Sequence, residues 1–498
     1  MKINIKKYSI GLLVLLTLTV TTSCKKYLEE KNFSNNDKSN YFNNIGQATS
    51  FVNGIYTYLY MFQNGDAYGE APFITIELFA GHATSLGQSV NNGNVINQRT
   101  DPVNPGFETV WKNSYSAIAN ANLALDRIPN MSIDDAAKNN LLGQVYFLRA
   151  FFYYHLVRLY GDVPLVVKPQ EVSDPDLYAS RTAQADVYKQ IISDLETAKT
   201  MGLPNTDQTG KVSLGAIKSL LASVYLTTAG FPLQQTENYA KAAAEAKDVI
   251  PMYTLFTDYA YLHDNAHKNQ GELIFQVNYL VGVRDNAIAQ LTLPFNLQVG
   301  AYGDHLGAMI PTNDFVASYE AGDFRTQERQ FYFSSYPKDK EPSTIINFGS
   351  HALYKYFHLE SALGSGICDE NWTLLRLPEV MLIYAEAQNE VGGPSQDVYD
   401  AINPIRARAK LAGLSGLTKD QLRIAIWKER YHELAYENKA YFDVQRTHQT
   451  YNPKTNVFGL ATTTPTEQGV TFKEQYYLWP IPQREIATNK NLTQNTGW

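Results

Sequence analysis

Apolar residues recur at helical spacing through most of this 498-residue chain. The clearest stripe lies between residues 133 and 160, where apolar side chains three or four positions apart share one helix face. Its members are Leu141, Val145, Leu148, Phe152, Leu156 and Leu159. Ser132, followed by Asp135, is predicted to cap this helix, and Gly161 and Pro164 are predicted to end it.

Similar periodicity predicts eight further helices. They span residues 46–62, 107–128, 184–200, 212–229, 236–250, 373–391, 396–411 and 419–440. Thr418 and Gln421 form the pattern of a capping box in front of the last one. Long helices joined by short turns indicate stacked helix pairs, and so a mostly α fold.

The periodicity fails in two long stretches, residues 63–107 and 281–371, which are rich in Gly, Asn and aromatic residues. Irregular stretches of this length inside a compact protein are usually functional or disordered. Between them, residues 272–280 are predicted to form a strand or an extended piece. The tail after residue 451 is again rich in loops.

The first 24 residues have the order of an export signal. Three lysines precede the apolar run Ile10 to Val20, which is too short to span a bilayer. Small residues then lead to Cys24, as in a bacterial lipobox, although Thr21 stands where Leu or Val is usual. We predict a lipoprotein signal peptide over residues 1–23, lipid attachment at Cys24 and a flexible tether over residues 24–40.

Charge and cysteine content narrow the function classes. The formal net charge is −7, and removal of residues 1–23 takes three lysines with it, which leaves −10. Such a protein repels phosphate backbones, so no nucleic acid is expected as a partner. If Cys24 is acylated, Cys368 has no disulfide partner. No histidine pattern supports Cys368 as a nucleophile.

Five segments together resemble the SusD/RagB family of outer-membrane nutrient-binding lipoproteins. These are Gly143–Val166, Gly210–Gly230, Asn371–Gly393, Asn403–Arg446 and Trp479–Trp498. The resemblance implies four tetratricopeptide-like helix pairs with irregular insertions, glycan binding without catalysis or a cofactor, and a SusC-type TonB-dependent transporter as partner. It places the protein on the cell surface, anchored in the outer membrane.

The resemblance also divides the mature chain. Residues 41–250 correspond to the N-terminal helical region and residues 251–498 to the C-terminal region, which carries a ligand-loop insertion over 281–371. One motif departs from the family pattern, since Asn438 stands where Gly is usual and Ala440 where Arg is usual. Asn still tolerates a left-handed backbone, so we expect only a local packing change.

A stripe of carboxylates, Glu429, Glu433 and Glu437, shares one helix face and invites an acid–base interpretation. We instead expect these side chains, and likewise Glu386 and Glu390, to form structural ion pairs. The expected partners are Arg376, Arg406, Arg430 and Arg446. His263 and His267 have a spacing that suits a shared metal, but no third ligand is evident, and no metal site is predicted.

The ligand site is expected in the two irregular stretches, because sugar rings need aromatic faces and fixed hydrogen-bonding groups. The candidates are Tyr68, Phe73, Asn91, Asn94, Gln98 and Arg99 in the first stretch and Arg284, Asn286, Tyr302, Asp304, His305 and Trp372 in or next to the second. Trp372 is expected to begin a helix and is also a packing candidate. Trp111 is assigned to the core.

The leading hypothesis is a glycan-binding lipoprotein that hands its ligand to the transporter. A RagB-like peptide binder remains open, since aromatic and amide side chains serve both ligands. A secreted glycosidase would need two carboxylates facing each other across a cleft. A helical scaffold without a small ligand is disfavoured by the two long insertions.

Overall fold

The computed structural model describes residues 42–63, 70–86, 89–294, 306–338, 341–359, 361 and 366–498. Helices dominate this part of the chain. In chain order they are α1 (Ile45–Tyr56), α2 (Pro72–Ala80), α3 (Val90–Ile96), α4 (Pro105–Arg127), α5 (Asp135–Tyr160), α6 (Gln184–Lys199), α7 (Leu214–Ala229), α8 (Asn238–Val249), α9 (Ile288–Thr292), α10 (Asn313–Ala317), α11 (Leu377–Gly392), α12 (Gln396–Arg408), α13 (Lys419–Glu433), α14 (Ala440–Thr447) and α15 (Gln483–Thr488).

Successive helices pack against each other in pairs. Helix α4 packs on α5 and α5 on α6; α7 packs on α8, and α11 contacts both α12 and α13. Their inner faces share one large apolar core, in which Trp111 and Trp479 are buried. The predicted mostly α body of paired helices is confirmed.

The strands are short and form four antiparallel pairs. They are β1 (Ala83–Thr84), β2 (Leu273–Val277), β3 (Ile310–Pro311), β4 (Tyr332–Lys338), β5 (Glu341–Leu353), β6 (Trp372–Arg376), β7 (Gln449–Asn452) and β8 (Val457–Leu460). The pairs are β1 with β3, β2 with β6, β4 with β5, and β7 with β8. The strand predicted within residues 272–280 is confirmed as β2.

Helix ends follow local chemistry. The capping box of Thr418 and Gln421 is confirmed at the start of α13. The prediction of Ser132 as the cap of α5 is wrong, because Asp134 accepts the hydrogen bond from Ala137 N instead, at 3.0 Å.

Asn438 has the predicted left-handed backbone, with φ of 56°. Its amide side chain donates to Phe73 O at 2.8 Å, which fixes the turn before α14.

The prediction of two irregular stretches is wrong in part, because residues 90–96 form α3 and the antiparallel pair β4–β5 lies within 281–371. It is also wrong for residues 72–80, which form α2, all of whose residues are buried. A helix that is buried all round shows no apolar stripe, so periodicity cannot detect it. The expectation that Trp372 begins a helix is also wrong: Trp372 starts β6, and α11 begins at Leu377, with Pro378 in its first turn.

The prediction of a helix through residue 440 is wrong, because α13 ends at Glu433 and Glu437 lies in the turn beyond it. The three carboxylates of the predicted stripe nevertheless lie together inside a buried network of charges. Glu433 Oε1 is 2.6 Å from both Arg376 Nη1 and Arg408 Nη2, and its Oε2 is 3.1 Å from Arg325 Nη1. Burial raises the pKa of Glu433, but the guanidinium groups of Arg408, Arg376 and Arg325 outweigh it and bring the pKa to about 2.

The neighbouring carboxylates of the stripe are held similarly. Glu437 Oε2 lies 2.7 Å from Arg376 Nε, and its Oε1 pairs with Lys355. Glu429 pairs with Arg325 at 2.6 Å and with Arg406 at 3.2 Å. The structural assignment of the stripe is therefore confirmed, and Arg325, Arg408 and Lys355 are partners that the sequence did not reveal.

Two of the predicted partners serve other carboxylates. The expectation that Arg430 and Arg446 pair with the stripe is wrong, since Arg430 lies 3.2 Å from Asp443, and Arg446 lies 2.8 Å from Asp443. Arg446 also holds Glu386, and Glu390 pairs with Arg423, as expected for structural carboxylates.

Candidate functional site

The two irregular stretches meet at a two-stranded ladder. Ala83 pairs with Pro311 and Thr84 with Ile310. Beyond the ladder, Leu86 N donates to Gly307 O at 2.8 Å. We define the insertion surface as residues 70–86, 89–99, 279–294 and 306–311. The structure thus joins parts of the chain that the sequence singled out separately.

One polar cluster on the insertion surface is organised by a carboxylate. Glu70 Oε1 accepts a hydrogen bond from Ser89 Oγ at 2.7 Å, and its Oε2 accepts one from Asn91 Nδ2 at 2.8 Å. Ser89 Oγ also accepts from Asn92 N at 3.0 Å and caps α3. Asn91 is half-buried, so the cluster presents an oriented amide at the protein surface.

A second cluster combines a cation with two aromatic rings. The Arg284 guanidinium carbon lies 4.6 Å from the Tyr60 ring centroid, and the Tyr60 and Tyr279 rings are 5.0 Å apart. Tyr60 OH donates to Asn278 O at 2.8 Å. Burial raises the pKa of Tyr60, against the opposing effect of Arg284, so its hydroxyl remains protonated at neutral pH. Tyr60 and Arg284 are both half-buried and open to solvent.

Other candidates hold the insertion surface together. Gln98 is buried, and its Oε1 accepts from Lys473 N at 2.7 Å. Asn286 is buried and donates to Glu370 O at 2.7 Å. Its backbone forms a β-bridge with Cys368, whose thiol is buried with its pKa raised by burial to about 12.

Two aromatic candidates lie in the core. Trp372 is only 4 % exposed, and its ring stacks on Tyr356 at 5.5 Å and contacts Phe73 at 4.9 Å. Phe73 is fully buried in α2. The structure therefore gives both side chains a packing role.

The remaining candidates fall into two groups. Asn94 is half-buried and Arg99 is exposed, and both lie on or next to α3. Cys24, Tyr68, Tyr302, Asp304 and His305 lie outside the described residues. Glu70, Ser89 and Tyr60 were not among the residues predicted from the sequence. The one sequence signal for α3 is Ser89 three residues before Asn92, a spacing typical of a helix N-cap.

The histidine pair is divided between two carboxylates. His263 Nδ1 lies 2.9 Å from Glu370 Oε1, and His267 Nδ1 lies 2.9 Å from Asp264 Oδ2. Within the part of the chain that the structure describes, no group of three or more His, Cys, Asp or Glu side chains is arranged to hold a metal ion. None of the described helices has the length and hydrophobicity of a bilayer-spanning segment.

Comparison with known proteins places this arrangement in a family. A SusD superfamily protein from Parabacteroides distasonis, solved by crystallography, is 34 % identical and superposes with a TM-score of 0.88. The match covers 91 % of this chain and 99 % of that one. The chain belongs to the SusD/RagB family. Family models agree, since the SusD family model matches residues 320–498 and the model "Starch-binding associating with outer membrane" matches residues 26–226.

Other SusD-like proteins align over the whole length. SusD-like protein P2 of Formosa agariphila is 29 % identical over 98 % of this chain and 99 % of its own. The fold is also shared by surface glycan-binding protein A of Bacteroides thetaiotaomicron, solved in complex with laminarihexaose. That protein is 20 % identical, with a TM-score of 0.74 over 90 % of this chain and 99 % of its own.

Proposed function

We propose that this protein is a surface-exposed outer-membrane lipoprotein that binds an oligo- or polysaccharide at the insertion surface and delivers it to a SusC-type TonB-dependent transporter. The observation that carries the proposal is the β1–β3 pairing, which unites the two irregular stretches on a SusD-like helical body. A protein with the same fold was solved with laminarihexaose, which supports a glycan as the ligand class.

The chemistry of the insertion surface suits a sugar. Sugar rings pack their C–H faces on apolar or aromatic groups and bind amides and guanidinium groups through their hydroxyls. The surface offers the oriented amide of Asn91 and the guanidinium of Arg284, and the half-buried ring of Tyr60 lies beside it against Arg284. Leu86 and Val90 are exposed beside the ladder and add apolar area.

The roles of the carboxylates support binding without catalysis. A glycosidase places two carboxyl groups across an open cleft, about 5 or 6.5–9.5 Å apart. Glu429, Glu433 and Glu437 are buried and occupied by arginine and lysine partners, so they are not available for acid–base chemistry. Release of reducing sugar from a bound glycan by the purified protein would contradict this part of the proposal.

The ligand is tested by calorimetric titration of the full-length protein in detergent with laminarihexaose and with a glycan panel. We expect micromolar to millimolar affinity, which corresponds to about −4 to −8 kcal/mol. Tyr68→Ala and Tyr302→Ala should each weaken binding by about 1–3 kcal/mol if these side chains stack on sugar. Tyr178→Ala is the control, because Tyr178 is exposed outside the insertion surface. Binding of a peptide panel in place of all glycans would favour the RagB-like alternative.

Membrane attachment is tested separately through Cys24. The Cys24→Ala variant should leave the outer-membrane fraction or remain unprocessed, because the thiol is the proposed site of acylation. One acyl chain anchors weakly, so several chains are expected on the mature protein. If the variant is processed and localised like the wild type, the protein is not anchored through a lipid on Cys24.

Delivery to a transporter requires a stable complex with a barrel. Mild-detergent purification of the tagged full-length protein should recover a TonB-dependent outer-membrane barrel. Recovery of only periplasmic or cytosolic proteins would contradict the proposed partner.

A further inference from the structure

Arg158, on α5, lies where three cavities meet. The cavities have volumes of about 150, 50 and 30 Å³, and all three have Arg158 and Phe442 in their walls. Of the residues that line the three cavities, one belongs to the insertion surface that carries the proposed glycan site: Ile76, which is fully buried in the wall of the 50 Å³ cavity. This is a separate place in the helical body, between α5, α7 and α14.

The guanidinium group of Arg158 is held between two aromatic rings. Its central carbon lies 3.7 Å from the Tyr154 ring centroid and 3.6 Å from the Phe442 ring centroid. Its Nε donates to Tyr154 O at 3.2 Å. These contacts fix the plane of the group, so little side-chain entropy would be lost when a ligand binds its remaining donors.

Arg158 differs from the buried arginines of the described residues in its electrostatic partners. Six buried arginines each have a carboxylate oxygen within 3.2 Å: Arg149, Arg325, Arg376, Arg406, Arg430 and Arg446. Among the residues that the structure describes, Arg158 makes no ion pair with a carboxylate, although it is half-buried.

The carboxylates that border the cavities are already neutralised. Glu379 lies 2.7 Å from Lys439 Nζ, Glu437 lies 2.7 Å from Arg376 Nε, and Asp443 is held by Arg430 and Arg446. The charge of Arg158 is therefore uncompensated in its surroundings. A partly desolvated cation without a counter-charge favours an anionic ligand.

The largest of the three cavities adds an apolar chamber next to this cation. One wall is a column of nearly parallel rings, with Phe231 and His448 3.9 Å apart and His448 and Tyr477 4.1 Å apart. A cavity of about 150 Å³ accepts a body the size of benzene. Pro232 is exposed and Gln184 is half-buried at its rim, so the chamber communicates with solvent.

We propose that this chamber binds a small aromatic monocarboxylate. The carboxylate accepts hydrogen bonds from the free edge of the Arg158 guanidinium, as planar carboxylates do on arginine. The ring of the ligand fills the chamber against Phe231, His448 and Leu478. Binding is non-covalent and does not depend on the proposed glycan function.

The first test needs no variant. Full-length protein in detergent is titrated with 3-phenylpropionate and with its neutral amide, and binding is followed by saturation-transfer NMR. We expect the acid to bind at least tenfold more tightly than the amide, because only the acid complements Arg158. Equal binding of the two compounds would overturn the proposal. So would the absence of acid binding at 10 mM ligand, which corresponds to a binding free energy weaker than about −3 kcal/mol.

Three variants then locate the site. Arg158→Gln should weaken binding of the acid at least tenfold and leave the amide unchanged, while Arg158→Lys should retain part of the preference for the acid. Gln184→Trp, at the rim, should weaken both compounds, and it keeps the test valid if the arginine variants do not fold. Laminarihexaose affinity should be unchanged in all three. Undiminished binding of the acid by folded Arg158→Gln and by Gln184→Trp would place the carboxylate elsewhere and refute the assignment.

Discussion

The buried charge network and the insertion surface use the same side-chain types in opposite ways. In the network, Glu433 is fully buried and each of its oxygens faces at least one arginine. On the insertion surface, Glu70 accepts hydrogen bonds from neutral Ser89 and Asn91, and Arg284 lies over an aromatic ring. Burial and the number of cationic partners therefore distinguish a charged side chain that stabilises the core from one that lies at the protein surface.

The largest expected effect is a loss of stability when one cation of the buried network is removed. Arg376→Ala leaves Glu433 and Glu437 without the cation that contacts both at 2.6 and 2.7 Å. Removal of one partner from a buried ion pair costs about 3–5 kcal/mol. The free energy of unfolding, measured by urea denaturation, should fall by this amount, while glycan affinity of the folded fraction stays the same.

The matched control is Arg484→Ala, which removes an exposed arginine 3.1 Å from Glu108. Exposed ion pairs contribute about 0–1 kcal/mol, so the control should change the unfolding curve little. A wild-type unfolding curve for Arg376→Ala together with lost binding would reverse the two roles.

Trp372 was a ligand candidate from its sequence context, but the structure buries it in the core. A variant at this position therefore tests whether Trp372 serves stability or ligand binding. Its burial between Tyr356 and Phe73 predicts that Trp372→Ala leaves a cavity and costs about 3–5 kcal/mol. Thermal and urea unfolding should both show the loss, with calorimetric affinity for laminarihexaose retained. Lost affinity at unchanged stability would return Trp372 to the ligand site.

Acid should weaken the helical body through its buried histidines and carboxylates. Burial, reinforced by nearby Arg158 and Arg325 respectively, holds the pKa values of His155 and His432 well below 6.5. The unfolded chain therefore takes up protons first as pH falls below about 6.5, and stability declines. Below about pH 4.5 Glu433 adds a loss of about 3 kcal/mol, because its folded pKa is about 2.

Urea denaturation at several pH values checks this prediction. Two declines are expected, one that begins near pH 6.5 from the histidines and one below about pH 4.5 from the carboxylates. Constant stability between pH 7 and pH 5 would show that the two histidines are not held neutral by burial.

The smallest expected effect lies on the insertion surface. Arg284→Ala removes the half-buried guanidinium that lies over the Tyr60 ring, so stability should change by about 1 kcal/mol or less. If this cluster binds sugar, affinity should fall by about 1–2 kcal/mol in calorimetry. Arg127→Ala is the control, since Arg127 is exposed at the end of α4. Equal affinities for the two variants would exclude the Arg284 cluster from the site.

Much of the helical body could be predicted because its signals are local. The stripe along α5 and the capping box of α13 depend on residues close in sequence. Helix α2 was missed because it is buried on every side. The start of α11 carried a usable signal, since Pro378 belongs to a first helical turn and separates the helix from the preceding strand β6.

The candidate site was less predictable because its contacts are distant in sequence. Composition indicated the correct stretches, and the ladder between β1 and β3 unites them. Composition could not separate exposed Arg99 from buried Gln98, whose partner Lys473 lies near the other end of the chain. The same limit applies to Arg325, which reaches Glu429 and Glu433 from a distant segment.

The ladder also has a kinetic consequence. Ala83 lies in the first half of the chain and its partner Pro311 in the second, so the ladder closes a very long loop. Contacts at such separation are entropically costly and form late in folding. The insertion surface should therefore be among the last parts of the molecule to assemble. In a refolding experiment, recovery of ligand binding should lag behind recovery of the helical circular dichroism signal. Ligand binding would then indicate that the two halves of the chain have packed together.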